Sequence, residues 1–220
     1  MIKIIIISVT LTLFLSCNAL YSQITIRPET SIGINKCYNL GIMSTMVGIE
    51  KILPAHSYSI GAEVNYEIKA SGFSINLGLG ILNQPAIYVL SSSYVFYRYE
   101  EPEIKYETFR RKLNYFFIQT PLTVTRQYDS GFKFGIGVNF KYYLPKFTTP
   151  DNIFYRFEYR NFNWGALMLL GYQSDNNIYI GLKSEFENPG FITEEFVGET
   201  TIFANFNTML SIGYIFKIKK

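Results

Sequence analysis

The sequence predicts an all-β protein, a closed antiparallel β-barrel whose strands cross a membrane. Three observations point there. Most of the chain alternates apolar and polar residues with a period of two, as strands with one oily and one wet face must. The clearest run is also long: Phe132, Phe134, Ile136, Val138, Phe140, Tyr142 and Leu144 share one face, and Lys133, Gly135, Gly137, Asn139, Lys141 and Tyr143 the other. Soluble strands average about five or six residues, whereas about nine to eleven tilted residues cross a bilayer. The composition is the third sign. There are 18 Tyr and 19 Phe against 1 Trp and 1 His, with 16 Gly, as expected where aromatic girdles flank strands crowded around a narrow lumen. No segment beyond residue 22 keeps apolar residues at i, i+3, i+4 and i+7 for three turns, so helical and α/β folds fit poorly.

A chain of 220 residues is usually one domain. Its first residues have the form of an export signal. Lys3 supplies the positive start, Ile4 to Leu15 the short apolar core, and Leu20-Tyr21-Ser22 or Cys17-Asn18-Ala19 the small-residue cleavage site. We place the signal at 1–22 and the barrel domain at 23–220. Two alternatives stand beside this: an uncut anchor, for which the apolar core is shorter than the roughly 18 residues needed, and acylation of Cys17. If the signal is removed, Cys37 is the remaining cysteine. An intrachain disulfide, a Cys-based zinc site and a thiol redox pair are then excluded.

Taken in order, Glu29 to Cys37 is a plausible first strand. Ile42 to Leu53 follows, and Pro54-Ala55-His56-Ser57 is expected to turn the chain. Tyr58 to Lys69 sets Tyr58, Ile60, Ala62, Val64, Tyr66 and Ile68 against Ser59, Glu63, Asn65, Glu67 and Lys69. A face with three ionisable groups cannot lie in lipid, so it must look into a hydrated or internally paired lumen. Ser71-Gly72 reverses the chain into Phe73 to Ile81, Asn83-Gln84-Pro85 breaks it, and Ala86 to Tyr99 resumes. Tyr115 to Gln127 and Phe132 to Leu144 form a hairpin about Asp129-Ser130-Gly131. Asn161 to Tyr172, Ile178 to Glu187 and Thr201 to Phe216 complete ten segments. Eight remain if the first strand and the hairpin near Phe73 to Tyr99 lie outside the wall, and either even count lets the ring close. Short turns near 129–131 and 174–177 mark one end, and long loops at 100–112, 146–160 and 188–200 the other.

The inward-facing charges form one candidate constellation: Glu63, Glu67, Lys69, Lys133, Lys141, Lys183 and Glu185, expected to neutralise one another in a packed lumen. The long-loop end offers a second, a possible contact surface of Arg110, Arg111, Lys112, Tyr155, Arg156, Tyr159 and Arg160. There, Arg forks suit anionic lipopolysaccharide phosphates, and interleaved aromatics suit sugars or peptide. No catalytic residue is assigned. Acyl-transfer and protease chemistry on such a wall needs a base of near-neutral pKa, and His56 is placed in a turn away from the long loops. No cofactor, metal constellation, P-loop or dinucleotide fingerprint is read. A net charge of only +3 argues against a nucleic-acid partner.

With the strands placed, the chain resembles the outer-membrane β-barrel domain family of small Bacteroidetes-type, OmpA-barrel-like porin-family proteins. The resemblance lies in Leu113-Asn114-Tyr115-Phe116-Phe117-Ile118-Gln119-Thr120-Pro121-Leu122, similar to that family's Y-x-x-x-P-L strand. It continues in Gly135-x-Gly137 ending near Tyr143-Leu144, in the Gly-containing opening Ser31 to Asn35, and in the closing Gly213-Tyr214-x-Phe216. It implies eight strands, a Gram-negative cell's outer membrane as the location, lipid as surroundings, and barrel-insertion machinery as a partner during biogenesis. The Phe73 to Tyr99 insertion and Lys217 to Lys220 depart from the family pattern. Members are mostly of unknown function, so the partner of the loops stays open. The expectation is a non-enzymatic integral outer-membrane protein acting through its loops or as a structural element. The alternatives are a lipid-modifying outer-membrane enzyme, a narrow channel, and a soluble lipocalin-like barrel. The last would leave its interior over-filled with Phe, Tyr, Leu and Ile.

Overall fold

A computed structural model describes residues 21–39, 47–68, 71–98, 101–144, 157–158, 161–187, 190–194 and 200–218. The strands are β1 (Tyr21–Asn39), β2 (Val47–Leu53), β3 (Ala55–Ile68), β4 (Phe73–Arg98), β5 (Glu101–Gln127) and β6 (Phe132–Tyr143). They continue as β7 (Phe157–Glu158), β8 (Phe162–Gln173), β9 (Ile178–Glu187), β10 (Gly190–Glu194), β11 (Thr200–Tyr214) and β12 (Phe216–Ile218). Residues 1–20 of the expected signal, Lys69, Tyr155, Arg156, Tyr159 and Arg160 lie outside the described residues, whereas Tyr21 and Ser22 open β1.

Eight strands make the wall in the order β1-β3-β4-β5-β6-β8-β9-β11, every neighbour antiparallel, and β11 pairs back onto β1 from Glu29↔Gly213 to Asn39↔Phe203. The ring is therefore closed, which removes every sheet edge at membrane depth. The ten sequence segments reduce to eight by a route other than the expected one. The first strand is in the wall, as is the Phe73 to Tyr99 region. Phe73 to Ile81 and Ala86 to Tyr99 are a single strand, with Asn83, Gln84 and Pro85 paired to Phe116, Tyr115 and Asn114. Strand β2 is the one left out. It pairs with β4 from Val47↔Ser92 to Leu53↔Ile87, directly above the β3–β4 pairing that starts at Tyr58↔Asn83. Thus β2 and β3 are collinear, interrupted at Pro54, which has no N–H for the ladder. Pro54 to Ser57 is not a turn.

Three tight reversals sit at one end, each set by a residue in the left-handed region: Gly72 (φ 68°), Gly131 (φ 83°) and Asn177 (φ 63°). Gly131 also approaches the next strand closely, its carbonyl accepting from Gln173 N at 2.9 Å. At the same end the final strand breaks at Ile215, whose N–H donates to Asn177 O at 2.9 Å. Phe216, Lys217 and Ile218 resume pairing with Ile26, Thr25 and Ile24.

At the opposite end the wall is uneven. β4 and β5 run on as a hairpin to Arg98↔Glu101, with β2 alongside β4 as far as Ser92, whereas among the described residues β6 pairs with β5 only from Phe117↔Tyr143 downward. At this end β10 pairs with the start of β11 and β7 with β10, extending the same sheet. The charged 101–112 segment, expected as a loop, is therefore strand. Its backbone ladder to β4 holds it extended.

The distribution of side chains is the reverse of a soluble protein's. Ile60, Leu79, Ile136, Met168, Ile180, Leu210 and Ile212 are exposed on the outer surface, while Arg27, Glu63, Lys133, Lys141, Glu185, Glu187 and many Ser, Thr and Asn residues are buried inside. Aromatic rings bracket the aliphatic belt. Tyr58, Phe140, Tyr142, Phe162, Trp164, Phe186 and Phe206 stand toward the hairpin end, and Phe73, Tyr128, Phe132, Tyr172, Tyr214 and Phe216 toward the tight turns. From Phe132 to Tyr142, a rise of about 3.3 Å per residue on a strand tilted about 40° gives a band about 25 Å tall, the apolar thickness of such barrels. Phe140 and Phe162 stack at 6.0 Å, and Arg126 lies 5.4 Å from the Phe73 ring and 5.2 Å from Tyr128. That is where an amphipathic cation and aromatics belong, at a membrane–water boundary. No helix among the described residues is long and apolar enough to cross a membrane; the strands do so.

Candidate functional site

Inside the wall, the period of two delivers polar side chains from all eight strands to one axis, and they segregate into two charged layers. In the lower layer, Arg27 and Glu29 of β1 meet Glu63 of β3 and Lys183 of β9. Arg27 Nη2 donates to Glu63 Oε2 at 2.5 Å, and Lys183 Nζ donates to Glu63 Oε1 at 2.5 Å. Lys183 also pairs with Glu29. Arg27 Nε lies 3.3 Å from Glu29 Oε2, an ion-pair contact without hydrogen-bond alignment. The Arg27 guanidinium covers the face of Tyr179, with 3.6 Å from its carbon to the ring centroid. Nearer the tight turns, buried Lys133 faces the like charge of Arg27 as well as the carboxylates of half-buried Glu67 and of Glu63.

In the upper layer, Lys141 of β6 is fully enclosed. Its Nζ lies 3.0 Å from Glu185 Oε2 and 3.1 Å from Glu187 Oε1, and it donates to Gln84 Oε1 at 2.9 Å. Gln84 in turn donates to Glu187 and to Asn35, both at 3.1 Å. Asn35 donates to the Pro85 carbonyl at 3.1 Å. Asn139 bridges Glu185 and Gln119, both at 3.2 Å. A cavity of about 20 Å³ separates the layers, lined among others by Asn139, Lys183, Glu185 and Asn207. That is room for about one water. Leu167, Leu169, Phe117 and Met209 fill much of the remaining axis.

Sequence reasoning grouped Glu63, Glu67, Lys133, Lys141, Lys183 and Glu185 on the inner face, and each of them faces the lumen. The structure separates them into layers. It also adds Arg27, Glu29, Gln84, Glu187 and Tyr179. Arg27 was hidden by starting the first strand at Glu29, on the far side of Pro28, and Gln84 by its place in a turn-like Asn-Gln-Pro. Glu187 was legible as the next inward position after Glu185.

His56 is not at the tight-turn end. It is opposite Ile34 in the upper wall and exposed on the outer surface. Glu63 points to the lumen from the same strand, so the two lie on opposite faces and cannot act as an acid–base pair. Among the described residues no group of three or more His, Cys, Asp or Glu side chains could hold a metal ion. Of the expected loop surface, Arg110 and Lys112 are exposed on the outer face of β5, level with Val89 and Ile87 of β4, and Arg111 occupies the position opposite Tyr88.

No family model and no curated protein matches the sequence. Among solved structures, the chain is similar to the outer membrane protein OprG from Pseudomonas aeruginosa, with 11% identity over 90% of this chain and 97% of that one and a TM-score of 0.48. It is similar to Ail, the attachment invasion locus protein of Yersinia pestis, solved with the heparin analogue sucrose octasulfate, with 12% identity over 87% and 99% and a TM-score of 0.37. The NanC porin follows with 10% identity over 87% and 98% and a TM-score of 0.29.

Proposed function

We propose that this chain is an integral outer-membrane protein whose eight-stranded wall anchors a raised β-sheet surface outside the cell, and that it acts through that surface and not by catalysis. The observation that carries this reading is the inverted packing: aliphatic and aromatic groups outside a closed wall, paired charges inside it. A closed β-barrel with a lipid-facing belt belongs to an outer membrane, and an export signal of the kind formed by Lys3 to Ser22 would bring it there. A lumen closed by two ion-pair layers transmits nothing, which leaves the hairpin of β4 and β5 as the part built beyond the needs of spanning.

Arg110 and Lys112 stand above the upper girdle on the outward face. They suit the phosphates of surrounding lipopolysaccharide, which would hold the hairpin base at the headgroup level. Barrel-insertion machinery is the partner expected during assembly. Membrane fractionation with comparison of boiled and unboiled migration in detergent gels tests the reading. The expected result is outer-membrane recovery with heat-modifiable migration. A chain that stays monodisperse in detergent-free buffer overturns it.

A further inference from the structure

One enclosed cation of the lumen has no partner. Lys133 is 5% exposed on the inner face of β6, and among the described residues its ammonium makes no hydrogen bond and no ion pair. It faces the like charge of Arg27 and the carboxylates of Glu67 and Glu63. Both oxygens of Glu63 are already engaged, Oε1 accepting from Lys183 and Oε2 from Arg27, each at 2.5 Å. Glu67 is only half-buried and makes no ion pair with Lys133. Below the cavity, Arg27, Lys133 and Lys183 therefore stand against two well-enclosed carboxylates, Glu29 and Glu63. A cation in excess inside a closed wall is costly unless a counter-charge reaches it.

A second donor without a partner stands beside it. The Tyr179 hydroxyl is buried and makes no hydrogen bond. It lies over Gly171, the residue directly opposite Lys133 in the β6–β8 ladder. Side chains on such a pair start about 5 Å apart, so the hydroxyl is within reach of the lysine side chain across the bare backbone of a glycine. On the other neighbouring strand Gln127 is opposite Lys133. Gln127 and Gln173 line a cleft of about 380 Å³ at the tight-turn end, together with Asn177, Lys217 and the turn residues Asp129 and Asp175. The cleft thus begins at the neighbours of Lys133.

We propose that Lys133 and Tyr179 form a binding site for a small monovalent anion of the chloride class, entered from the tight-turn end. The ammonium supplies charge and the hydroxyl a directed donor, and the anion accepts from both. Arg27, held over the Tyr179 ring, adds its positive field while keeping its bond to Glu63. A single negative charge balances the excess cation, whereas a dianion would exceed it. Water would satisfy the hydroxyl and leave the charge uncompensated. Glu67 is the competitor, drawn to the same ammonium from the side of the tight turns.

The test is the width of the chloride NMR line with full-length protein folded in zwitterionic detergent, gluconate holding the ionic strength constant. Bound chloride broadens the line, and added bromide competes the broadening away. Lys133→Met is expected to lower the affinity by more than about tenfold, as loss of a charged hydrogen-bond donor predicts. Tyr179→Phe keeps the ring over the glycines and the net charge unchanged, and lowers it about fivefold. Glu67→Gln removes the competitor and raises it about threefold. Lys112→Met, which removes an exposed cation at the far end, leaves it unchanged. Chloride in place of gluconate raises the urea midpoint of wild type and not that of Lys133→Met. Heat-modifiable migration reports the fold in every variant. Equal line widths for folded wild type and Lys133→Met overturn the proposal, since the two donors then hold water only. So does a loss in Lys112→Met equal to that in Lys133→Met, which is surface screening, or a Tyr179→Phe protein that binds chloride as wild type does.

Discussion

The guanidinium of Arg27 lies 3.6 Å above the ring of Tyr179, and the far side of that ring covers two glycines of the lumen wall. A Cβ added at Gly171 would stand 2.6 Å from the Tyr179 ring, and one at Gly181 would meet its hydroxyl and ring carbons. Charge, aromatic ring and bare backbone therefore form one stack across β1, β8 and β9, in which the ring fills the space that two absent side chains leave.

The stack makes a coupling measurable. Gly171→Ala and Gly181→Ala should each lower stability by about 1 to 3 kcal/mol, because the ring is fully buried and cannot yield without displacing Arg27. In a Tyr179→Leu background the same glycine changes should be much milder. Urea unfolding of the six proteins in detergent gives the two cycles, and additive effects would show that ring and glycines do not touch.

The lower ion-pair layer predicts a contrast between two glutamates of one strand. Glu63→Gln leaves Arg27 and Lys183 sharing Glu29 in a closed space, and should cost about 3 to 5 kcal/mol. Glu67→Gln, four residues on and half-buried toward the tight turns, should cost under about 1 kcal/mol. Unfolding midpoints at fixed salt check the difference, and equal effects would place the two residues in similar surroundings.

How much of this was readable beforehand follows from what polarity means in a barrel. Wherever apolar and polar residues alternate strictly, as in Phe132 to Leu144 and Tyr58 to Ile68, the strand and both its faces were legible. Asn83-Gln84-Pro85 and Pro54 to Ser57 were not, because turn-forming residues carry the same signature whether they bend a chain or hydrogen-bond inside a lumen. Gln84 belongs to the second kind, holding Asn35, Lys141 and Glu187 together. The charged run 101–112 reads as a loop for the same reason, since it has no apolar period to announce a strand. Pairing of charges across the lumen depends on register between strands far apart in sequence, and a single chain's pattern does not encode that locally.

The lipid belt predicts a strong dependence on depth. Ile136 is 59% exposed at the middle of β6, between Phe132 and Tyr142. Ile136→Arg should destabilise the inserted protein by about 2 to 4 kcal/mol, and Ser130→Arg in the adjacent turn by less than about 1 kcal/mol. Denaturant titration in phospholipid vesicles distinguishes them. An Ile136→Arg protein as stable as wild type would mean that this face meets water.

The last prediction concerns passage through the wall. An ion crossing along the axis must pass both layers, and the cavity between them holds about 20 Å³. Lys141 closes the upper layer with contacts to Glu185, Glu187 and Gln84 at 2.9 to 3.1 Å. Moving it aside strands two carboxylates in a closed interior, a penalty of about 3 to 5 kcal/mol that keeps the open form below about 1% of molecules. Reconstituted wild-type protein in planar bilayers should therefore show no steady conductance at ordinary salt. Lys141→Met should unfold at distinctly lower urea, for the same stranded carboxylates. A persistent conductance step from the wild type, of one size and present in most insertions, would require an open axis and with it a different packing of both layers.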